Sequence, residues 1–223
     1  MRARHVFLAA AALVMAYGCG GSVTTRGIAQ IRAISAVTNP SVIDVFTDFN
    51  IVAIALTNGS GVGYGSQPAN SLSIGVRQTG TTTTIASGDV QAEVGGKYSI
   101  IPYQSGSNTV GILVLDDSVS DPGAVKFKVR LAHVDRNVGP VDLYIVDPDS
   151  DLSESTPVLT NVTYQTATGY IELDAGIQKE IILAQAGTTN VIGNVITTTP
   201  GSGAIHTLLL LDNSGPALNI YND

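Results

Sequence analysis

Val129-Arg130-Leu131-Ala132-His133, followed by Val141-Asp142-Leu143-Tyr144, decides the fold, because the chain carries the same text twice. At an offset of 98 residues stand Ile31-Arg32-Ala33-Ile34-Ser35 and Ile43-Asp44-Val45-Phe46. The same offset aligns Asn39 with Asn137, and an offset of 100 aligns Val62-Gly63-Tyr64 with Val162-Thr163-Tyr164. Farther on, Ser99-Ile100-Ile101 matches Thr207-Leu208-Leu209 more loosely. Alternation along the second copy puts Val129, Leu131 and His133 on one face and Arg130 and Ala132 on the other, the period-two pattern of a strand.

Working outward, similar short apolar and β-branched runs fill the chain: Ile28–Ile34, Val42–Phe46, Ile51–Leu56, Thr109–Leu115, Glu180–Ala186, Val191–Thr197 and Ala204–Leu211. Gly, Asn, Ser, Pro and Asp bound them, and no amphipathic helix interrupts them. Short strands at this spacing predict an all-β protein, here two tandem immunoglobulin-like β-sandwich domains. The expected division is a signal peptide over 1–18, a lipidated tether over 19–27, a sandwich over 28–117, a turn-rich linker over 118–125 and a second sandwich over 126–223.

These residues resemble a known family. The V-R-x-x-H strand at Val129–His133 and the V-D-x-Y strand at Val141–Tyr144 carry the likeness. So do Asn161-Val162-Thr163-Tyr164 and the Leu173-Asp174-Ala175-Gly176 turn, which together look like domain of unknown function 4397. The likeness is fuller over 126–223 than over 27–117, where Ser35 stands at the histidine position. The resemblance implies bacterial extracytoplasmic proteins, often lipoproteins, with immunoglobulin-like β-domains and no established activity.

The leader agrees with that setting. Arg2, Arg4 and His5 form a basic head, Val6–Met15 an apolar run, and Gly18 stands before Cys19, the sole cysteine. This is the layout of a secretory signal, and the run is far short of the ~20 residues a spanning helix needs. Met15-Ala16-Tyr17-Gly18-Cys19 resembles a lipobox, so Cys19 is the expected lipidation site and the membrane a partner through that lipid. Gly20 directly after it points to the outer membrane by resemblance to lipoprotein sorting patterns. Past the leader nine basic residues face eighteen acidic ones, a net charge of −9. Such a chain gains no counterion-release affinity for nucleic acid and carries no polybasic patch for a membrane surface.

Candidate chemistry is sparse. Taking the first two strands of each copy as a hairpin places Arg32 beside Asp44 and Arg130 beside Asp142 on the outer face, as structural ion pairs. His133, before a loop of Asp135-Arg136-Asn137 and Gly139-Pro140, is expected to orient that loop through a ring nitrogen. Asp147, Asp149, Asp151 and Glu154 form a weak candidate metal site, since alternating aspartates can supply oxygens to calcium. Leu152 and Val158 stand where an EF-hand loop needs Gly and Glu, so the same residues also read as a solvated loop. Asp116, Asp117 and Asp121 at the domain junction are a second acidic group. Apart from calcium no cofactor is expected.

Gly59–Gly65 lacks the spacing and the lysine of a phosphate loop, and no G-x-S-x-G elbow is present. No enzyme is expected; a carboxylate enzyme would need two acids facing each other in a cleft between the domains. The reading is therefore a lipid-anchored envelope protein that binds or scaffolds, with an envelope protein or a surface polymer as partner. The alternative is a carbohydrate-binding module, possibly calcium-assisted, using Tyr144 and Tyr164 as exposed aromatics.

Overall fold

A computed structural model of the chain describes residues 27–48 and 50–223. Cys19, the leader and most of the tether lie outside the described residues. Among the described residues no helix is long and apolar enough to cross a membrane.

The first half contains β1 (Ile28–Ala33), β2 (Val42–Thr47), β3 (Ile51–Thr57), β4 (Gly65–Pro68), β5 (Ser71–Gln78), β6 (Thr84–Gln91), β7 (Lys97–Gln104) and β8 (Val110–Asp116). The second contains β9 (Lys126–His133), β10 (Val141–Val146), β11 (Leu159–Val162), β12 (Thr166–Ala167), β13 (Ile171–Asp174), β14 (Lys179–Gln185), β15 (Val191–Thr198), β16 (Ile205–Asp212) and β17 (Pro216–Asn222). Each half is a two-sheet β-sandwich. The sheets run β4-β1-β7-β8 and β3-β2-β5-β6 in the first half, and β12-β9-β16-β17 and β11-β10-β14-β15 in the second, where β13 also pairs with β9.

The first two strands of each copy are not a hairpin. The chain crosses from one sheet to the other between β1 and β2, and again between β9 and β10. What β1 pairs with in parallel is β7, with Arg32 opposite Ser99; β9 pairs in parallel with β16, with Arg130 opposite Thr207. The loose match of Ser99 to Thr207 thus marks equivalent positions.

Inside each sandwich the inward rows meet: Ile31, Ile43, Val45, Leu72, Ile74 and Ile100 in the first, Phe127, Leu131, Leu143, Leu183 and Leu208 in the second. The opposite rows of β1, β7, β9 and β16 are buried too. Ile34, Ile101, Tyr103 and Leu115 pack with Ala132, Val134, Leu209 and Leu211 in a third apolar cluster joining the two sandwiches. The molecule is therefore four stacked sheets with three apolar layers. Its two central sheets are covered on both faces, which is why β7 is buried at every residue but Lys97 and β16 carries Leu208 to Leu211 unbroken.

The copies correspond through β10 at the offset of 98, and at offsets of 106 to 108 beyond it. Ile43 pairs Leu56 where Val141 pairs Val162, and the amide of Val62 bonds Ala33 where that of Thr168 bonds Leu131. The eight additional residues lie in the β10–β11 connection, which holds the acidic stretch from Asp147 to Glu154.

Candidate functional site

The equivalent arginines meet partners across the domain boundary. Arg32 keeps Nε on Ser99 Oγ (2.6 Å) in its own sandwich, while its two terminal nitrogens bond the Asn222 carbonyl and Asp223 Oδ1 of the other. Arg130 repeats this in reverse. Its Nε donates to Thr207 Oγ1 (2.9 Å), Nη1 to the Asp116 carbonyl (2.8 Å) and Nη2 to Asp117 Oδ1. Each carboxylate is closed from its own side as well. Ser99 and Tyr64 donate to Asp117 Oδ2 at 2.6 and 2.7 Å, and Thr207 and Tyr170 donate to Asp223 Oδ2 at 2.7 and 2.6 Å. The guanidinium carbons lie 4.7 Å and 4.5 Å from the ring centroids of Tyr64 and Tyr170. Two positive and two negative groups are thus enclosed, paired and hydrogen-bonded around a local two-fold relation, the condition under which burial of charge is tolerated.

Burial first, and then the neighbouring Asp117, push the Tyr64 phenol far above its usual range. Burial does the same for Tyr170, reinforced by its hydrogen bond to Asp223 against the pull of Arg130. Both remain protonated donors at physiological pH. The Tyr64–Tyr170 equivalence also corrects the sequence alignment, which set Tyr64 against Tyr164.

The expected pairs Arg32–Asp44 and Arg130–Asp142 do not form. The arginines point into the junction between the sandwiches, whereas Asp44 and Asp142 lie on β2 and β10 in the outer sheets. All four side chains belong to residues only 4–5% exposed, so these are not solvated surface charges. The aspartates hold backbone. Asp44 Oδ1 accepts the amide of Ala55 (3.1 Å), and Asp142 Oδ1 that of Asn161 (2.7 Å). Ala55 and Asn161 are equivalent bulge residues with φ of 54° and 53°. Asp44 also takes Thr79 Oγ1 (2.7 Å) and Arg77 Nε (3.1 Å), and Asp142 takes the amide of Gly187 (2.8 Å). Burial raises the Asp44 carboxyl, but the bonds from Thr79, Ala55 and Arg77 outweigh it and hold it below the usual carboxylate value.

His133 is fully buried at the end of β9, with Nε2 3.1 Å from the Gly139 carbonyl across the β9–β10 loop. A carbonyl only accepts, so Nε2 carries the proton and Nδ1 is left bare; it has no hydrogen-bond partner. Burial depresses the His133 pKa, and burial raises that of Asp135, whose Oδ1 accepts the Asn137 amide (2.9 Å). His206 is likewise depressed by burial.

The acidic stretch does not gather. Asp147 is paired with Lys179 Nζ (2.6 Å), and Asp151 caps the 3-10 turn Leu152–Glu154 by accepting the Ser153 amide. Asp149 occupies a left-handed turn position with φ of 62°. Among the described residues no group of three or more His, Cys, Asp or Glu side chains is disposed to hold a metal. At the domain junction Asp117 is taken by Arg130, and Asp116 Oδ1 accepts the Ser118 amide (2.8 Å). Asp147, Asp151, Asp116 and Asp117 are thus engaged by a lysine, local amides and an arginine.

Tyr144 and Tyr164 are not exposed aromatics. Tyr144 is buried with Ile182 and Ala184 beneath Leu152, and Tyr164 packs edge-on against Tyr103 and His133 between the sandwiches. An open recess of about 510 Å³ is lined by Asn137, Pro140, Asn161, Gln185, Ile192 and Pro216 among others, and one of about 390 Å³ by Val37, Thr38, Thr57, Asn58 and Asn213. Neither is lined by a titratable side chain. A third, of about 210 Å³, lies beside Phe46 on the outer face of the first sandwich.

The family model described as "Domain of unknown function (DUF4397)" matches residues 29–144, just over half of the chain. The matched span runs through the first sandwich and the first two strands of the second. It contains both arginines and both bulge-holding aspartates, and it favours the first copy over the second, contrary to the weighting of the motifs. No curated protein matches the chain. Among solved structures, the chain is similar to a family 26 carbohydrate-binding module of Eubacterium rectale Amy13K in complex with maltoheptaose (10% identity, 88% of this chain and 97% of that one, TM-score 0.29). It is also similar to an α-glucan-binding streptococcal virulence factor (16%, 87% and 96%, 0.29) and to the Bacillus anthracis TIE protein (11%, 84% and 34%, 0.28). At these identities and scores no function passes from them to this chain.

Proposed function

The chain belongs to the domain of unknown function 4397 family, and from that premise we propose that it is a lipid-anchored protein of the bacterial cell envelope with a non-catalytic binding or scaffolding role. The observation that carries this reading is the fate of Asp117 and Asp223. A carboxylate enzyme would need two acids facing each other across a cleft between the sandwiches. Here the two acids between the sandwiches are each saturated by an arginine, a tyrosine and a hydroxyl, in a closed junction. Charge is used to fix one sandwich on the other, and the two larger recesses are lined by amides, hydroxyls and apolar walls without a titratable side chain.

The lipid would sit on Cys19, and Gly20 after it favours the outer membrane. A four-sheet body on a tether over 19–27 suits presentation of its outer faces to an envelope protein or a surface polymer. The carbohydrate-binding alternative calls for a row of exposed aromatics. The seven described tyrosines are all buried or half-buried, so none of them forms such a row.

The test is palmitate labelling and fractionation of the full chain beside Cys19→Ser. Label in the outer membrane that disappears with the substitution is the expected result; a soluble, unlabelled full chain would contradict the anchor. Capture from envelope extract and on a glycan array, with calcium and with chelator, tests the binding role. Capture of a protein independent of calcium is expected; capture of nothing contradicts binding and leaves a spacer.

A further inference from the structure

The end at which the tether enters the fold is unlike the rest of the surface. Strands β1 and β9 run in the same direction and both start there. Arg130 reaches the Asp116 carbonyl, and Asp116 pairs with Tyr98, which lies in parallel beside Ile31. Arg32 reaches the Asn222 carbonyl in the matching place. At the opposite end Tyr164 meets Tyr103, and Asn58 donates to the Asp212 carbonyl (2.7 Å). The entry end is built twice on one plan: the Ala69 amide bonds the Gly27 carbonyl and the Ala175 amide the Val125 carbonyl, both at 2.8 Å.

Four large apolar side chains are exposed at this end. Ile28 opens β1 (55%), and Val94 (74%) lies over Gly27 from the β6–β7 turn. Val125 (67%) precedes β9, and Ile177 (55%) stands on the β13–β14 turn. Val125 adopts φ of 57°, a left-handed conformation that is an outlier for a β-branched residue. All four lysines of the chain gather here too: Lys97, Lys126 and Lys179 are the first residues of β7, β9 and β14, and Lys128 follows in β9. Lys97 stands over the Tyr64 ring, Lys128 bonds Ser120, and Lys126 and Lys179 pair with Asp174 and Asp147. Aliphatic side chains among lysines suit the boundary of acyl chains and headgroups. A lysine stem lies along apolar surface while its ammonium stays in the polar layer.

We infer that this end of both sandwiches rests on the lipid bilayer, with Ile28, Val94, Val125 and Ile177 entering the acyl boundary. The inference rests on the lipid anchor proposed above and says how the anchored body is oriented. Cys19 precedes Gly27 by eight positions, so even a fully extended tether reaches only about 29 Å. That confinement gives a weak contact a high effective concentration. Glu93, Asp121 and the stretch Asp147–Glu154 lie at the same end, so the contact is apolar rather than electrostatic and is expected to be indifferent to salt. The strands then stand away from the bilayer. The two larger recesses, beside Asn137 and Gln185 and beside Asn58 and Asn213, open at the far end.

The chain has no tryptophan, so a single introduced one reports alone. The test reconstitutes the full lipidated chain carrying Val94→Trp, Ile177→Trp or Asn213→Trp in phosphatidylcholine vesicles with brominated acyl chains, and reads fluorescence. Expected are quenching and a blue shift for the first two, unchanged in high salt, and neither for the third. Adding Ile28→Ser and Val125→Ser to the Val94→Trp chain, both at exposed positions, is expected to lower its quenching several-fold. The inference is overturned if a chain that floats with the vesicles shows no quenching at Val94→Trp and Ile177→Trp, or equal quenching at Asn213→Trp; the anchor then stands without the orientation. Quenching abolished by salt overturns the apolar contact. A full chain that carries no lipid and stays behind when the vesicles float overturns the anchor, and the orientation with it.

Discussion

Arg130 of the second sandwich donates to Asp117 at the end of the first, both side chains at least 95% buried, and Arg32 of the first returns the contact to Asp223 of the second. The repeat is thus not two beads on a string. Each copy supplies the cation for the other's anion, and the apolar layer around Ile34, Ile101, Leu209 and Leu211 excludes water from both pairs.

Removing one arginine leaves a buried carboxylate without its partner. Arg130→Ala is expected to cost about 3–5 kcal/mol, read as a fall in the urea midpoint. Lys126→Ala, which breaks an ion pair whose side chains are 37% and 69% exposed, is expected to cost at most ~1 kcal/mol. A double-mutant cycle of Arg130→Ala with Asp117→Ala should show coupling of at least ~1 kcal/mol; additive losses would sink the pairing.

The aspartates of the V-D strand hold bulges. Asp142→Ala strands the amides of Asn161 and Gly187 and is expected to destabilise by about 2–3 kcal/mol. In thermal melts that is roughly 4–10 °C for a chain of this size. Ala55→Gly should act in the opposite direction, raising the midpoint slightly, because φ of 54° costs alanine about 1 kcal/mol or more that glycine does not incur. A lowered midpoint for Ala55→Gly would contradict the strain.

Stability should fall as the medium is acidified below neutrality. Burial depresses His133 and His206 in the folded state, so below pH ~6.5 the unfolded chain binds protons that the folded chain refuses. The stability they contribute is present above the unfolded value and lost as pH drops toward the folded one, at up to ~1.4 kcal/mol per pH unit for each histidine. Asp135, raised by burial, titrates in the opposite sense and closer to the carboxylate range. Urea titrations at pH 7.5 and 5.5 check this. His133→Gln should flatten the difference, and an unchanged slope would show that His133 ionises freely in the fold.

Calcium should leave the thermal midpoint where it is. Asp147 is engaged by Lys179 and Asp151 by the 3-10 turn. Melts in millimolar calcium and in chelator are expected to agree within about 1 °C; a rise of several degrees would show that the acidic loop gathers around the ion.

The fold class was readable because alternation, turn residues and the repeat all spoke for short strands, and the runs named from sequence fall on β1–β3, β8–β10 and β14–β16, whereas β4, β5, β6 and β12 were not singled out. The face assignments held as well: Arg130 and Ala132 do lie opposite Val129 and Leu131. What alternation cannot say is what covers the second face. Arg32 and Arg130 were given to solvent because an outward charge on a sheet is usually wet, whereas the outward face here is the other sandwich. Pairing β1 with β2 followed from adjacency in sequence, which is a poor guide when a chain changes sheets. Sequence places Asp117 in an acidic group at the domain junction and does not single out Asp223, because the lock joins residues 13 and 191 positions apart. One signal was present: Ser99 and Thr207, each late in its repeat, with a hydroxyl opposite each arginine. The burial of Tyr144 could have been suspected from Leu152, the single large apolar residue in an otherwise acidic loop.

The reciprocal Arg32–Asp223 and Arg130–Asp117 lock makes the central claim that the two sandwiches are one rigid body. Residual dipolar couplings of backbone amides, fitted separately for 28–116 and 126–222, test it most directly. A single alignment tensor, equal in magnitude and orientation for both sets, is the predicted result. Tensors that differ in magnitude would mean the sandwiches reorient independently, and the account of the junction would be wrong.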